Sequence, residues 1–364
     1  MVNIVLAGGG TAGHTSPLLA TAEALERVGG VKIVCVGTRK GLETTVVPAA
    51  GYELRLVDPV PLPRKPGADL VKLPVRLARS VGQARAVLRD HRADVLIGFG
   101  GYVSVSAYLA AFSLRVPVVI HEQNALPGVS NKLGAKFAAY TAATFPNTPL
   151  RGAEVIGMPV SRRISSPTIT RAEAREFFGL APDMPTLLVS GGSQGAQSLN
   201  RAVEDATPRL LDAGVQIVHV LGAKNMTAEH RVLTADNGAS YRPVAFVDDM
   251  SYAYAAADLM FGRAGAGTVV ETAMNGLPTL FVPYPHGNGE QERNAAALVA
   301  AGGGVLIHDS EVSADRLLSE VLPRITNASE LAAMATACRD QSPADAADVL
   351  AARALAIAAQ KGTR

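Results

Sequence analysis

The strongest constraint on this chain is a pattern that it states twice. NIVLAGGGTAGH, from Asn3, and LLVSGGSQGAQ, from Leu187, share one plan: an uncharged apolar run, a turn of glycines, then a helix-forming stretch. Gly8 and Gly191 stand 183 residues apart, about half of a 364-residue chain. A strand that is apolar at every position belongs inside a parallel sheet covered by helices on both faces. Short runs of that kind recur. Strands are predicted at Val2–Ala7, Lys32–Val36, Leu54–Val57, Val95–Gly98, Pro117–Ile120 and Val155–Ile156. A second set is predicted at Thr186–Ser190, Gln216–Val220, Val244–Phe246, Leu259–Phe261, Thr279–Val282 and Val305–Ile307. Helical patterns such as Pro17–Val28, Val81–Arg89, Leu199–Leu211 and Asn294–Ala301 lie between them. Alternation of this kind predicts an α/β fold of two Rossmann-like doubly wound domains. Ligands of such sheets bind beyond the carboxyl ends of the strands, so the crevice between the domains is the expected site.

The polar stretch Ser161–Thr170 (SRRISSPTIT) reads as the linker. It places one domain at 1–160 and the other at 171–343, with a last helix at 344–361 expected to cross back onto the first domain. The composition, 48% hydrophobic and 18% charged, is that of a globular protein. Two cysteines, Cys35 and Cys338, are too few for a disulfide framework or a cysteine-built metal site. A net charge of +2 from 34 basic and 32 acidic residues excludes nucleic acid as the main partner. Residues 1–22 carry no charge, yet no basic residue precedes the apolar run and it breaks at Gly8, so no signal peptide is read there. Val95–Leu114 is uncharged for 20 residues but is interrupted by glycines and serines; strand, turn and helix explain it better than a membrane span. The chain is expected to be soluble.

Four glycine loops each follow a strand and precede a helix: Gly8–His14, Gly98–Ser104, Gly191–Gly195 and Gly262–Thr268. Glycine allows close approach to an anion, and the helix that follows presents unpaired N–H groups and partial positive charge. Several such loops converging on one crevice would hold a diphosphate without metal; taken singly, each is explained equally well as a tight turn. The first loop fits G-x-G-x-x-G (Gly8, Gly10, Gly13), but the second strand ends Val36-Gly37-Thr38 without the acid that a nicotinamide nucleotide requires. The dipeptide Gly-Lys occurs nowhere, which excludes a P-loop, and no Asp-x-Asp is present to hold Mg²⁺ or Mn²⁺ on a sugar nucleotide.

In order along the chain, GGGTAGH, GFGGYVS, His121-Glu122-Gln123-Asn124, GGSQGA from Gly191, Phe246-Val247-Asp248-Asp249-Met250 and QERNA from Gln291 form a specific set. With them the chain resembles, over essentially its whole length, the MurG family of GT-B glycosyltransferases of peptidoglycan synthesis. The resemblance implies transfer of N-acetylglucosamine from UDP-GlcNAc to the C4 hydroxyl of the muramoyl sugar in undecaprenyl-diphosphate-MurNAc-pentapeptide (lipid I to lipid II), with inversion. It also implies a peripheral place on the cytoplasmic face of the membrane, proximity to other cell-wall enzymes, roles in cell shape and division, and neither cofactor nor metal.

Carried over by position, the resemblance puts nucleotide-sugar contacts on Thr11, Ala12, Gly13, Asn124, Ser193 with Gln194 beside it, Val247, Ala266, Gly267, Thr268, Val269, Val270, Glu271 and Gln291. Glu271 would accept from the ribose hydroxyls, or is an ordinary helix-start carboxylate. Ser193 would face the diphosphate or cap the next helix. The family's hinge arginine is absent: Gly157-Met158-Pro159-Val160-Ser161 is followed by Arg162, the replacement candidate. His14 is the candidate base, with an unperturbed pKa near ~6.5 suited to proton abstraction; positioning of oxygens is its other reading. Glu122 is the second catalytic candidate, or a buried structural carboxylate. Tyr102 and the two first-domain loops would receive the acceptor's diphosphate.

Residues 64–92 hold eight basic side chains (Arg64, Lys65, Lys72, Arg76, Arg79, Arg85, Arg89, Arg92) against Asp69 and Asp90, with Leu70, Val71, Leu73, Val75 and Leu77 among them. That pattern suits an anionic membrane surface or a solvated helix over a small core. Competing functions are another GT-B glycosyltransferase, a UDP-GlcNAc 2-epimerase-like enzyme, a non-catalytic nucleotide-sugar binder and, with its acid missing, a nicotinamide oxidoreductase.

Overall fold

The computed structural model describes residues 1–60, 68–192, 194–341, 343 and 345–361. It divides into two compact units, Met1–Ser161 with Pro343–Arg364, and Arg162–Ser342. The first unit opens with β1 (Val2–Ala7), α1 (Ala12–Val28), β2 (Val31–Gly37), α2 (Glu43–Ala49) and β3 (Glu53–Leu56). Next come α3 (Ala68–Asp90), β4 (Val95–Gly98) and α4 (Tyr102–Ser113), then β5 (Val118–Glu122), α5 (Val129–Gly134), β6 (Tyr140–Ala143) and β7 (Ala153–Val155). The second unit begins with α6 (Arg162–Ser165), α7 (Arg171–Phe177), β8 (Thr186–Ser190), α8 (Gln197–Asp212) and β9 (Gln216–Val220). It continues through β10 (Leu233–Thr234), β11 (Ser240–Val244), α9 (Met250–Ala256), β12 (Leu259–Gly262) and α10 (Ala266–Met274). It ends with β13 (Thr279–Phe281), α11 (Glu290–Ala300), β14 (Gly304–Leu306), α12 (Ala314–Ile325) and α13 (Ala328–Arg339), after which α14 (Ala346–Lys361) belongs to the first unit.

The first sheet runs β3-β2-β1-β4-β5-β6-β7, and every pairing in it is parallel. The second runs β10-β11-β9-β8-β12-β13-β14 and is parallel except for the short antiparallel edge strand β10. In each sheet the winding reverses beside the first full strand, between β1 and β4 and between β8 and β12. Those two switch points are where open α/β sheets bind ligands. All four glycine loops leave from the strands that flank them.

Strand alternation explains why the central strands read as unbroken apolar runs. Ile4 and Leu6 point into a core with Leu18 and Leu25 of α1 and Leu350 and Ala354 of α14, while Val5 and Ala7 point to the other face, against Leu88, Val103 and Tyr108. β8 does the same, with Leu187 and Val189 packed on α8 and α12 and Leu188 packed on α9.

The structure revises several sequence expectations. Ser161–Thr170 is no free linker: Ile164 and Ile169 pack on the second unit's core, Asn275 Nδ2 donates to the Ile164 carbonyl at 3.1 Å, and Thr170 caps α7 in a capping box with Glu173. β11 ends at Val244, before the 56% exposed Phe246. β6 carries no strand signal in the sequence, because Tyr-Thr-Ala-Ala lacks a β-branched run. Val95–Leu114 is β4, a turn and α4, and among the described residues no helix is long and apolar enough to cross a membrane. Arg64, Lys65 and Ser193 lie outside the described residues, as do the side chains of Leu70 and Val71.

Candidate active site

At the first switch point the two glycine loops interlock. A Cβ on Gly101, whose φ is +82°, would lie 2.6 Å from the Gly9 carbonyl oxygen, so only glycine permits the β4 loop to close on the β1 loop. His14, in the first turn of α1, is fixed by both loops. Its Nδ1 lies 3.1 Å from Thr11 Oγ1, and its Cδ2–Nε2 edge lies against Gly100 beside Asn131 Nδ2. Burial lowers its pKa and the charge of Glu43 acts in the opposite direction; the net shift is downward, which leaves the ring neutral and able to accept a proton at neutral pH.

Behind His14 stands a buried polar web. Asn131 Nδ2 donates to Glu122 Oε2 at 2.9 Å, and Tyr108 donates its hydroxyl to Asn131 Oδ1 at 2.7 Å. Glu122 also accepts from the amides of Asn124 and Gly128, both at 3.0 Å. Desolvation raises the Glu122 pKa, and the four donors around it only moderate that rise. Both oxygens are thus engaged within the 122–131 segment, a geometry that favours the structural reading of Glu122 in the HEQN turn. His121 is fully buried with its pKa pushed down to about 4 and donates Nε2–H to the Gly157 carbonyl at 2.8 Å. Asn124 is half-buried at the tip, and Tyr102 is 50% exposed at the start of α4.

In the second unit Arg263, inside the GRAGAGT loop, ties the switch point together. Its guanidinium donates to Asp309 Oδ1 at 2.6 Å and to Ser198 Oγ at 3.1 Å, and it also meets the carbonyls of Val282 and Pro283. Glu271 accepts the Tyr254 hydroxyl at 2.7 Å, while burial drives its pKa up to about 7. Gln291 Oε1 accepts from the Tyr284 amide at 2.9 Å, which leaves its amide nitrogen to donate elsewhere. Asn225 Nδ2 donates to the Gln194 carbonyl at 3.1 Å and holds the β8 loop closed.

The helix starts at these loops are open. α1, α4, α8 and α10 begin at Thr11, Gly101, Ala196 and Gly265 with no side-chain cap, whereas Thr170, Ser313 and Asn327 cap α7, α12 and α13. First-turn N–H groups left without a protein acceptor are what an anion binds. Among the candidates, Ala266, Val269, Val270 and Val247 are buried core side chains, so only their main chain is available to a ligand. Arg162 is an exposed residue that opens α6. Glu43, Asn131, Tyr254 and Arg263 carry no local sequence signal, because each acts through a partner from another part of the chain. Among the described residues no group of three or more His, Cys, Asp or Glu side chains is placed to hold a metal ion.

Two doubly wound units, each with open helix starts at its switch point, are the layout of a GT-B glycosyltransferase. Residues 4–143 match the glycosyltransferase family 28 N-terminal domain and residues 186–350 the family 28 C-terminal domain. The chain is 53% identical, over 98% of both sequences, to the Cutibacterium acnes UDP-N-acetylglucosamine–N-acetylmuramyl-(pentapeptide) pyrophosphoryl-undecaprenol N-acetylglucosamine transferase. The crystal structure of Acinetobacter baumannii MurG superposes with a TM-score of 0.75 at 29% identity, covering 97% of this chain and 99% of that one. The Streptomyces sp. SF2575 glycosyltransferase SsfS6, complexed with thymidine diphosphate, shares the fold alone: TM-score 0.64, 16% identity, 96% of this chain and 98% of that one. The chain belongs to glycosyltransferase family 28, in its MurG branch.

Proposed function

We infer that the chain transfers N-acetylglucosamine from UDP-GlcNAc to the muramoyl sugar of undecaprenyl-diphosphate-MurNAc-pentapeptide, the step from lipid I to lipid II. Identity of about half the residues with transferases so named, along the full chain, supports this reaction over natural-product glycosylation or epimerisation. The residue roles are our own reading. His14, neutral and fixed between Thr11 and Gly100, takes the proton of the acceptor's C4 hydroxyl as that oxygen displaces UDP from the opposite face of the anomeric carbon, inverting it. Open N–H groups of α8 and α10 stabilise the charge that develops on the departing diphosphate. Glu271 accepts from the ribose, the Gln291 amide donates to the hexose, and Asn124 and the Thr11–Gly13 turn meet the sugar. Tyr102 and the start of α4 receive the acceptor's diphosphate. The exposed basic and apolar residues of α3 support a peripheral position on the cytoplasmic membrane face.

The observation that carries this reading is the His14 imidazole held between Thr11 and Gly100 at the first switch point. Incubation with labelled UDP-GlcNAc and a lipid I analogue tests it. We expect label transfer by the native chain and a kcat lower by about 10²–10⁴ in His14→Ala. Failure of the native chain to transfer label would end the functional reading, while full activity in the variant would end only the base assignment.

A further inference from the structure

Glu43 is a carboxylate in an unusual place. It opens α2, is fully buried, and lies directly beneath the first glycine loop. Oε2 accepts from the Gly10 amide at 2.8 Å; Oε1 accepts from the Thr38 amide at 2.8 Å and from the Thr38 hydroxyl at 2.9 Å. Gly9, Gly37 and Gly41 surround it so closely that a Cβ on any of them would collide with the side chain. Three glycines from two loops therefore make room for one carboxylate.

Both Glu43 oxygens accept from N–H donors, so a glutamine there would turn its own amide nitrogen against one of them, and the fully hydrogen-bonded carboxylate is the form that fits. A negative charge under a loop also weakens that loop as an anion cradle, and the Gly10 N–H is turned inward, away from any ligand. The arrangement favours a positive charge instead, and the positive charge that develops nearby is on His14 as it takes a proton. Around that imidazole stand Thr11 from the loop that opens α1, Gly100 from the β4 loop and Asn131 from α5, none of them ionisable. Glu43, from α2, is the charged group that acts on it.

We propose that Glu43 is a positioning residue for the transfer: through the Gly10 amide it fixes the GGGTAGH loop that carries His14, and it holds its carboxylate directly beneath that loop. This rests on His14 being the proton acceptor of the proposed reaction, with Glu43 acting through it and touching neither substrate. Charge placed in advance where charge develops costs no reorganisation during the reaction.

The test is an NMR titration of the His14 ring in the full chain, run beside steady-state kinetics. In Glu43→Gln we expect the His14 midpoint to fall by about one pH unit. We expect kcat to fall about tenfold or more, its acidic limb to move to lower pH, and KM for UDP-GlcNAc to stay within about twofold. Glu43→Asp, which keeps the charge, returns the acidic limb toward its native position. A folded Glu43→Gln chain with an unmoved His14 midpoint would overturn the proposal. Should that variant not fold, the native chain still decides: the Gly10 amide, although on an exposed residue, exchanges slowly with solvent, and rapid exchange there refutes the geometry. Because the titration needs no turnover, a native chain that transfers no sugar would defeat the functional reading while leaving Glu43 separately tested.

Discussion

At the scale of single residues, the sharpest consequence concerns Glu271. Burial holds its pKa at about 7, so the empty protein carries a mixture of acid and carboxylate at neutral pH. Two ribose hydroxyls need an acceptor, and Tyr254 already occupies Oε2, so the carboxylate is the binding form. UDP affinity should therefore be full above pH 7 and decline as pH falls below it, and binding near pH 7 should release a proton. Calorimetry of UDP binding in buffers of different ionisation enthalpy checks both; pH-independent affinity between pH 6 and 8 would remove Glu271 from the ribose site. The glycines and His14 were legible in the sequence because turn chemistry leaves a local signature. Tyr254, Glu43 and Arg263 were not, since their roles follow from partners 17, 33 and 46 residues away. Glu122 is visible but ambiguous in the sequence, and its hydrogen-bond partners favour the structural reading.

At the scale of elements, α3 and α14 separate surface chemistry from packing. In α3, Ser80, Ala84 and Leu88 repeat every four residues and are buried, whereas Lys72, Val75, Arg76 and Arg79 are exposed, Val75 at 74%. Phe112 of the neighbouring α4 is also exposed and packs against Phe137 in a tilted pair, ring centroids 5.0 Å apart. Each surface lysine or arginine near anionic lipid contributes on the order of 1 kcal/mol. Neutralising Lys72, Arg76 and Arg79 together should therefore abolish most sedimentation with anionic vesicles at constant transferase activity on a soluble acceptor; unchanged sedimentation would make α3 an ordinary solvated helix. α14 is held differently. Leu350 is fully buried against β1 and α1, while the Arg27–Asp348 pair at 2.6 Å is partly exposed. Leu350→Ala should cost about 2–5 kcal/mol and Asp348→Asn less than about 1 kcal/mol, a ranking that denaturant melts will check. The strands most legible in the sequence, Val2–Ala7 and Thr186–Ser190, are apolar on both faces. β6 and the packed segment after Ser161 were less legible because alanines and isolated isoleucines carry no period.

At the scale of the whole molecule, each unit has its own two-faced core, and the chain passes between units only after Ser161 and before Pro343. The side chains proposed to grip the nucleotide, Glu271 and Gln291, and the open starts of α8 and α10 all belong to the second unit. A ligand stabilises whatever cooperative unit it binds, by about 2.7 kcal/mol at a hundredfold excess over Kd, which slows exchange through global opening about a hundredfold. Saturating UDP should thus slow amide exchange at Leu187–Val189 in β8 by about that factor. Ile4–Leu6 in β1, buried in the other unit's cores, should exchange as before. Equal slowing in both strands would mean that the two cores open together, and the duplicated architecture would then be one folding unit with two sheets. Slowing confined to β1 would put the nucleotide on the wrong half of the chain and reverse the proposed assignment of donor and acceptor.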